Sequence, residues 1–313
     1  MNITMANPFK AKAADCDPSA VSRGITEFLS DFSVEATRPK QSDVEAVAQN
    51  VPAGAQLYLS AIPTRPSLEL VEQAVLTRKA GLDPVPHIAV RNYVSKNELS
   101  SLLERLAAEA GVRRVLIISG DRPDSAGAFT TSLEAIESGM LQRYGITEIG
   151  IAGHPDGHPV VADDVMQRAL LAKIEAAEQG GLKAEIVTQF GFDAMAMVRW
   201  VKKLRDLGLD APVRVGMAGP TNLTTLLKYA QRCGVKASAG GVAKHMGLVK
   251  HLFGVSAPDS IVRALADENA VGSLGLVSAH FFSFGGVGAT ARWASHVRQG
   301  RITLDGDGFS VEP

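Results

Sequence analysis

The chain alternates short apolar runs with longer stretches of helical period. Eight runs predict β-strands: residues 33–37 (SVEAT), 56–62 (QLYLSAI), 85–90 (VPHIAV), 114–119 (RVLIIS), 148–152 (EIGIA), 185–190 (EIVTQF), 213–218 (VRVGMA) and 276–282 (LVSAHFF). Helical period recurs over residues 68–78, 96–110, 132–143, 163–179, 194–207 and 222–232. In the second of these, Leu99, Leu102, Leu103 and Leu106 fall on one face. Two further helices, residues 242–253 and 258–268, are expected before the last strand, and a last loop and closing helix after Phe284.

Strands alternating with helices imply βαβ units and a parallel sheet. Eight units in one chain suit an α/β fold of the closed (β/α)₈ TIM type, with extra helices before the last strand. A doubly wound open sheet is the competing architecture, but no G-x-G-x-x-G follows the first strand. No composition break marks a linker. Residues 25–313 therefore form one expected catalytic domain, preceded by a loosely ordered arm over residues 1–24.

Composition narrows the class. A net charge of -1 gives no basic surface, so neither nucleic acid nor a membrane surface is an expected partner. Cys16 and Cys233 are too few for a disulfide framework and fit a reducing, cytoplasmic setting. The N-terminus lacks a signal-type apolar core, and no apolar run approaches the ~20 residues of a membrane helix.

Chemistry in such a barrel gathers at the C-terminal ends of the strands. Polar groups fall there repeatedly: Glu35, Ser60, His87, Ser119 with Asp121, His154 and Gln189. Each has a plain structural alternative. Glu35 could pair with Arg38 or Lys40 at the rim, where an ion pair is worth little. A lone His87 on an apolar strand is commonly structural. Gln189 could cap a strand end, and Gly-Asp-Arg-Pro at residues 120–123 is ordinary turn chemistry. His154 and His158 lack a third ligand at metal spacing, so no metal is expected. No G-x-S-x-G elbow and no G-x-x-x-x-G-K-[ST] loop occurs. Carboxylate, imidazole and amide groups remain. They suit acid–base chemistry or a bound organic cofactor.

The order of VEATRP at Glu35, YLSA at Ser60, PHIAV at His87, SGDRP at Asp121, HPDGHP at His154 and IVTQFGFD at Gln189 resembles methylenetetrahydrofolate reductase. VGMAGP near Gly216 and SAHFFSF near His280 continue the resemblance. That family is a flavin-dependent (β/α)₈ oxidoreductase of one-carbon metabolism. The resemblance implies FAD across the barrel mouth and a tetrahydrofolate derivative as substrate. It implies that Glu35 is the acid that protonates the folate nitrogen, and that Asp121 stands beside flavin and pterin. Gln189 and Phe192 would meet the substrate. Ser60, where the family usually has Thr, would contact the flavin with His87, Ser119 and Gly120. Gly120 would bring backbone close to the flat ring. Phe129, Thr130, His154, His158, Gln167 and Lys173 would line the dinucleotide, although Lys173 could equally be a solvated surface lysine. Family precedent also implies a homo-oligomer.

Opening the methylene bridge needs a proton on nitrogen, which a carboxylic acid with a burial-raised pKa could supply. Departures from the family pattern touch the face shared by nicotinamide and folate. Ala36-Thr37-Arg38-Pro39 replaces an aromatic-rich segment, and His154 stands where the family has Tyr. Gly285 and Gly286 stand where it has Asn-Arg, and Arg292 is the nearest compensating cation in sequence. Poor use of NAD(P)H and a flux mainly from 5-methyltetrahydrofolate to the 5,10-methylene form are therefore expected. A pterin-binding barrel methyltransferase without flavin is the alternative.

Overall fold

The structure, a computed structural model, describes residues 17–62, 65–235 and 255–312. Eight parallel strands close into a barrel in chain order. They are β1 (Ser33–Ala36), β2 (Gln56–Leu59), β3 (Asp83–Ala89), β4 (Arg114–Ile118), β5 (Glu148–Gly153), β6 (Lys183–Thr188), β7 (Val213–Ala218) and β8 (Val277–Phe282). The closing seam pairs the first strand with the eighth, Val34 opposite Phe281 and Glu35 opposite Phe282.

Helices pack outside: α1 (Pro18–Phe28), α2 (Gln41–Ala48), α3 (Ser67–Lys79), α4 (Lys96–Ala110), α5 (Ser132–Glu137), α6 (Met140–Arg143), α7 (Asp163–Gln179), α8 (Ala194–Asp206), α9 (Leu223–Arg232), α10 (Asp259–Ala270) and α11 (Val287–Arg298). Among the described residues none of these is long and apolar enough to cross a membrane.

Two apolar regions hold the fold. The larger lies between strands and helices, where Leu57, Ile88, Ile117 and Ile151 meet helix faces such as Leu99, Leu103 and Leu106. Burying each such side chain contributes about 1.5–3 kcal/mol. The smaller fills the barrel with Tyr58, Val85, Leu116 and Val187. Below it the barrel floor is ionic. The Arg214 guanidinium, 4% exposed, donates through Nε to Glu185 Oε2 at 2.9 Å and through Nη2 to Asp31 Oδ2 at 2.9 Å. Tyr58 Oη donates to Glu185 Oε1 at 2.7 Å, and Arg114 bridges Asp83 and Glu148. A guanidinium this deep is stable only when its donors are met.

Several expected bounds shift. Residues 18–24, expected in the loose arm, are helical instead, and Asp17 caps α1 with Oδ1 accepting from Ser19 N at 3.0 Å. Pro18 opens that helix, and Ile25 and Phe28 bury its inner face. The run over residues 132–143 is two helices, broken at Gly139 with φ 70°. Strand β2 stops at Leu59 rather than residue 62, and β6 begins at Lys183, two residues early. The tail adds a hairpin, β9 (Ile302–Asp305) and β10 (Gly308–Val311), turning at Gly306 with φ 53°. Phe309 of that hairpin stacks on Trp293 with centroids 6.0 Å apart. The helix expected over residues 242–253 lies outside the described residues.

Candidate active site

Glu35 sits one residue before the end of β1, at the barrel mouth. Its Oε1 accepts a hydrogen bond from Ser60 Oγ at 2.7 Å, just past the end of β2. Its Oε2 lies 3.5 Å from His87 Nε2 on β3 and 3.5 Å from His280 Nε2 on β8. His280 is fully buried, and its Nδ1 meets Ser33 Oγ at 2.8 Å. A serine hydroxyl donating to Nδ1 leaves the Nε2 proton directed at the carboxylate. The edge of Tyr58 fixes the His280 ring, with centroids 4.6 Å apart. Three expected residues thus meet at one point. His280, visible before only as part of a motif, joins them.

The electrostatics correct one expectation. Burial pushes the Glu35 carboxyl up, but His87, His280 and the Ser60 hydroxyl together outweigh it and hold the group below the ordinary carboxylate value. Burial likewise holds His87 below the ordinary imidazole value, with Glu35 pulling it back up. The carboxylate is therefore anionic near neutrality, and a proton for catalysis has to reach it past the imidazoles beside it.

Asp121 is exposed at the end of the fourth strand's loop. That loop is stitched to the β3 side by Arg91, whose Nε donates to Thr130 O at 2.7 Å and whose Nη1 donates to Arg122 O at 3.1 Å. Gly120 has φ 97°, and a Cβ there would meet Ala89 Cβ at 3.1 Å. Its bareness serves loop geometry and packing on β3. Ser119 Oγ accepts from Ser132 N at 3.2 Å, Thr131 caps α5 with its Oγ1 accepting from Glu134 N at 3.3 Å, and Thr130 N donates to Glu134 Oε2 at 2.9 Å. Phe129 and Phe192 are each 5% exposed. Their rings belong to the core beneath the mouth, and Lys96 Nζ sits 5.1 Å over Phe129.

The β5 side gathers two imidazoles and the Lys173 ammonium. His154 and His158 pack edge to face with centroids 5.2 Å apart. Burial, with His158 and Lys173 nearby, pushes the His154 imidazole down to about 4. Burial also lowers the Lys173 ammonium, which favours the inward-facing alternative for that residue. His154 Nδ1 is buried without a hydrogen-bond partner, and His87 Nε2 has only its 3.5 Å contact with Glu35. Gln167 is half-buried on α7. Gln189 follows β6, with its Oε1 accepting from Phe190 N at 3.0 Å. The free thiol of Cys233, which no strand-end argument would find, is raised to about 11 by burial and by the charges of Glu35 and Asp121. Among the described residues no three His, Cys, Asp or Glu side chains cluster as a metal site would need.

A closed eight-stranded barrel with carboxylate, imidazole and amide groups converging on its C-terminal mouth has the architecture of a barrel enzyme. The family model for methylenetetrahydrofolate reductase matches residues 63–274. The chain belongs to the methylenetetrahydrofolate reductase family, a family of oxidoreductases. The 5,10-methylenetetrahydrofolate reductase of Pectobacterium carotovorum is 23% identical over 213 residues, covering 66% of this chain and 67% of its own length. That of Escherichia coli is 23% identical over 210 residues, with the same shares. Methylenetetrahydrofolate reductase 1 of Schizosaccharomyces pombe is 29% identical over 166 residues, 50% of this chain and 26% of its own. Among solved structures, a Clostridium thermocellum protein described as binding two copies of 5-methyl-5,6,7,8-tetrahydrofolic acid superposes with TM-score 0.59. It covers 89% of this chain and 99% of that one at 11% identity, a likeness of fold.

Proposed function

We propose that this protein interconverts 5,10-methylenetetrahydrofolate and 5-methyltetrahydrofolate by hydride transfer, with FAD as its resident group. The observation that carries this is the Glu35 carboxylate, bonded by Ser60 on one oxygen and flanked by His87 and His280 on the other.

The residues fit a flavin dinucleotide. His154 Nδ1 is a buried nitrogen without a hydrogen-bond partner, and His87 Nε2 has only its long contact with Glu35 Oε2; such groups leave room for a ligand. The Lys173 ammonium, with the His154 and His158 imidazoles beside it, forms a polar flank suited to a diphosphate. When bound, FAD supplies hydride to, or accepts it from, the one-carbon unit of the folate.

The chain's own groups handle the proton and the charge. In the reductive direction Glu35 first takes up a proton by way of the imidazoles beside it, and passes it to the leaving nitrogen as the bridge C–N bond opens. Asp121 faces the positive charge left on the folate, where a fixed carboxylate lowers the barrier. In the oxidative direction Glu35 takes the proton back.

The oxidative direction is favoured, with poor use of NAD(P)H. The aromatic rings at the mouth are engaged with one another. Tyr229 stacks on Phe284 at 4.2 Å, and Phe190 packs on Phe282 and Phe284. None is free to stack on a nicotinamide. The test is anaerobic: FAD-loaded protein is mixed with 5-methyltetrahydrofolate, and separately with NADH or NADPH, while flavin absorbance is followed. Bleaching by the folate and not by the nicotinamides is expected. Failure to bind FAD overturns the reading, and reduction by NADH or NADPH at about 10 s⁻¹ or faster overturns the stated preference.

A further inference from the structure

Three strands of one half of the barrel end in loops that carry Arg-Pro: Arg38-Pro39 after β1, Arg65-Pro66 after β2 and Arg122-Pro123 after β4. The first two arginines converge. Arg38 Nε lies 3.3 Å from Glu69 Oε2, and Arg65 Nη1 lies 3.5 Å from Glu69 Oε1. One carboxylate thus bridges two guanidiniums, each nearly half exposed.

Arg38 is the one non-glycine residue with positive φ among those described, at 53°. A left-handed arginine is strained and needs a reason. Here the turn carries its side chain over to α3. The pair borders a small open cleft of about 70 Å³ whose lining includes Ser60, Asn92 and Tyr93. Ser60 is the residue that bonds Glu35. The cleft therefore reaches the serine that holds the catalytic carboxylate.

The other carboxylate in the lining, Glu98, is occupied: its Oε2 accepts from Val94 N at 2.8 Å at the start of α4. The loop after β8 offers no cation of its own. Gly285 has no room for a side chain, since a Cβ there would lie 2.1 Å from Pro220 O.

We propose that Arg38 and Arg65 form a carboxylate-binding subsite for the glutamyl tail of the folate, with Glu69 as the resident counter-ion that an incoming carboxylate joins or displaces. This rests on the function proposed above and assigns the tail of that substrate to the β1–β2 side of the mouth. Exposed guanidinium–carboxylate pairs are individually weak, so each arginine is expected to contribute about two- to fivefold in affinity. A tail of several glutamates would gain more than a tail of one.

The test is calorimetric titration of the full chain with three probes: tetrahydrofolate monoglutamate, tetrahydrofolate pentaglutamate, and p-aminobenzoyl-pentaglutamate, which lacks the pterin. The variants are Arg38→Asn, Arg65→Gln, their combination, and Glu69→Gln. Asn tolerates the left-handed backbone at position 38, and melting curves confirm that each variant folds. Pentaglutamate should bind at least about fivefold tighter than monoglutamate. The double variant should erase that gap, and Glu69→Gln should widen it. A gap that is absent in the natural protein, or that persists in the double variant, overturns the subsite. Arginine-dependent binding of p-aminobenzoyl-pentaglutamate without folate turnover would uphold the subsite and sink the proposed reaction. Normal turnover without a length effect would do the reverse, and binding of none of the three probes overturns both.

Discussion

Ser60 Oγ donates to Glu35 Oε1 at 2.7 Å across the β1–β2 seam, which leaves only Oε2 facing the two imidazoles. One oxygen of the acid is held and the other is kept for proton exchange. Replacing Glu35 with Gln keeps the size and the Ser60 contact but removes the exchangeable proton. Folate turnover should fall by about 10²–10⁴, the usual contribution of a positioned acid. The FAD spectrum should stay unchanged. Near-normal turnover by Glu35→Gln would remove this residue from its role.

Asp121 is exposed and lies on a loop held by Arg91 through backbone acceptors. Asp121→Asn should therefore fold and bind flavin as before. The fixed negative charge facing the folate cation would be gone, so the half-reaction with folate should slow by at least about tenfold. Rapid-mixing measurement of the folate half-reaction checks this; an unchanged rate returns Asp121 to the status of a turn residue.

His154 links the site to acid stability. Its folded pKa of about 4 lies below the 6.5 of a free imidazole, so the unfolded chain binds the proton first. The stability this neutral imidazole preserves is complete above pH 6.5 and is lost as pH falls towards 4. The loss is up to about 3 kcal/mol. His87, also depressed by burial, adds to the same slope. Urea titrations between pH 7 and pH 4 should show stability falling. His154→Phe, which keeps a ring against His158, should flatten the fall. An equal slope in the variant would contradict the assignment.

Gly216 on β7 passes close under the end of β6. A Cβ there would lie 2.4 Å from Thr188 O and 2.9 Å from Gln189 O. Gly216→Ala should cost about 1–3 kcal/mol, the range of overpacking in a tight interior. It should also raise the KM for folate by displacing Gln189. Thermal melting together with steady-state kinetics tests both parts; a wild-type melting temperature with unchanged KM would show that β6 can yield freely.

What the sequence disclosed follows from how local each signal was. The fourth strand was plain because Leu116, Ile117 and Ile118 form an unbroken apolar run, as a strand buried on both faces requires. Helix α2 escaped notice because eight residues with only Val44 and Val47 buried carry little periodicity. The β9–β10 hairpin was hidden in a polar tail whose Asp-Gly turn signal lies at residues 305–306. At the site, Glu35, Ser60 and His87 stood out as polar groups ending apolar strands. His280 did not, because its partner is 245 residues away and only barrel closure brings them together. The convergence of Arg38 and Arg65 on Glu69 was equally invisible. It depends on a left-handed turn that no local pattern around Arg38 announces.

The closing seam has a further consequence for the life of the chain. Glu35 belongs to the first strand and His280 to the last, and the two meet only when β8 docks beside β1. A nascent chain that has already formed seven strands therefore possesses the acid but not the imidazole that completes it. Such a species would be catalytically silent however native its other strands are. Appearance of activity during refolding would then time the final zipping of the barrel, making the enzyme its own clock for completion.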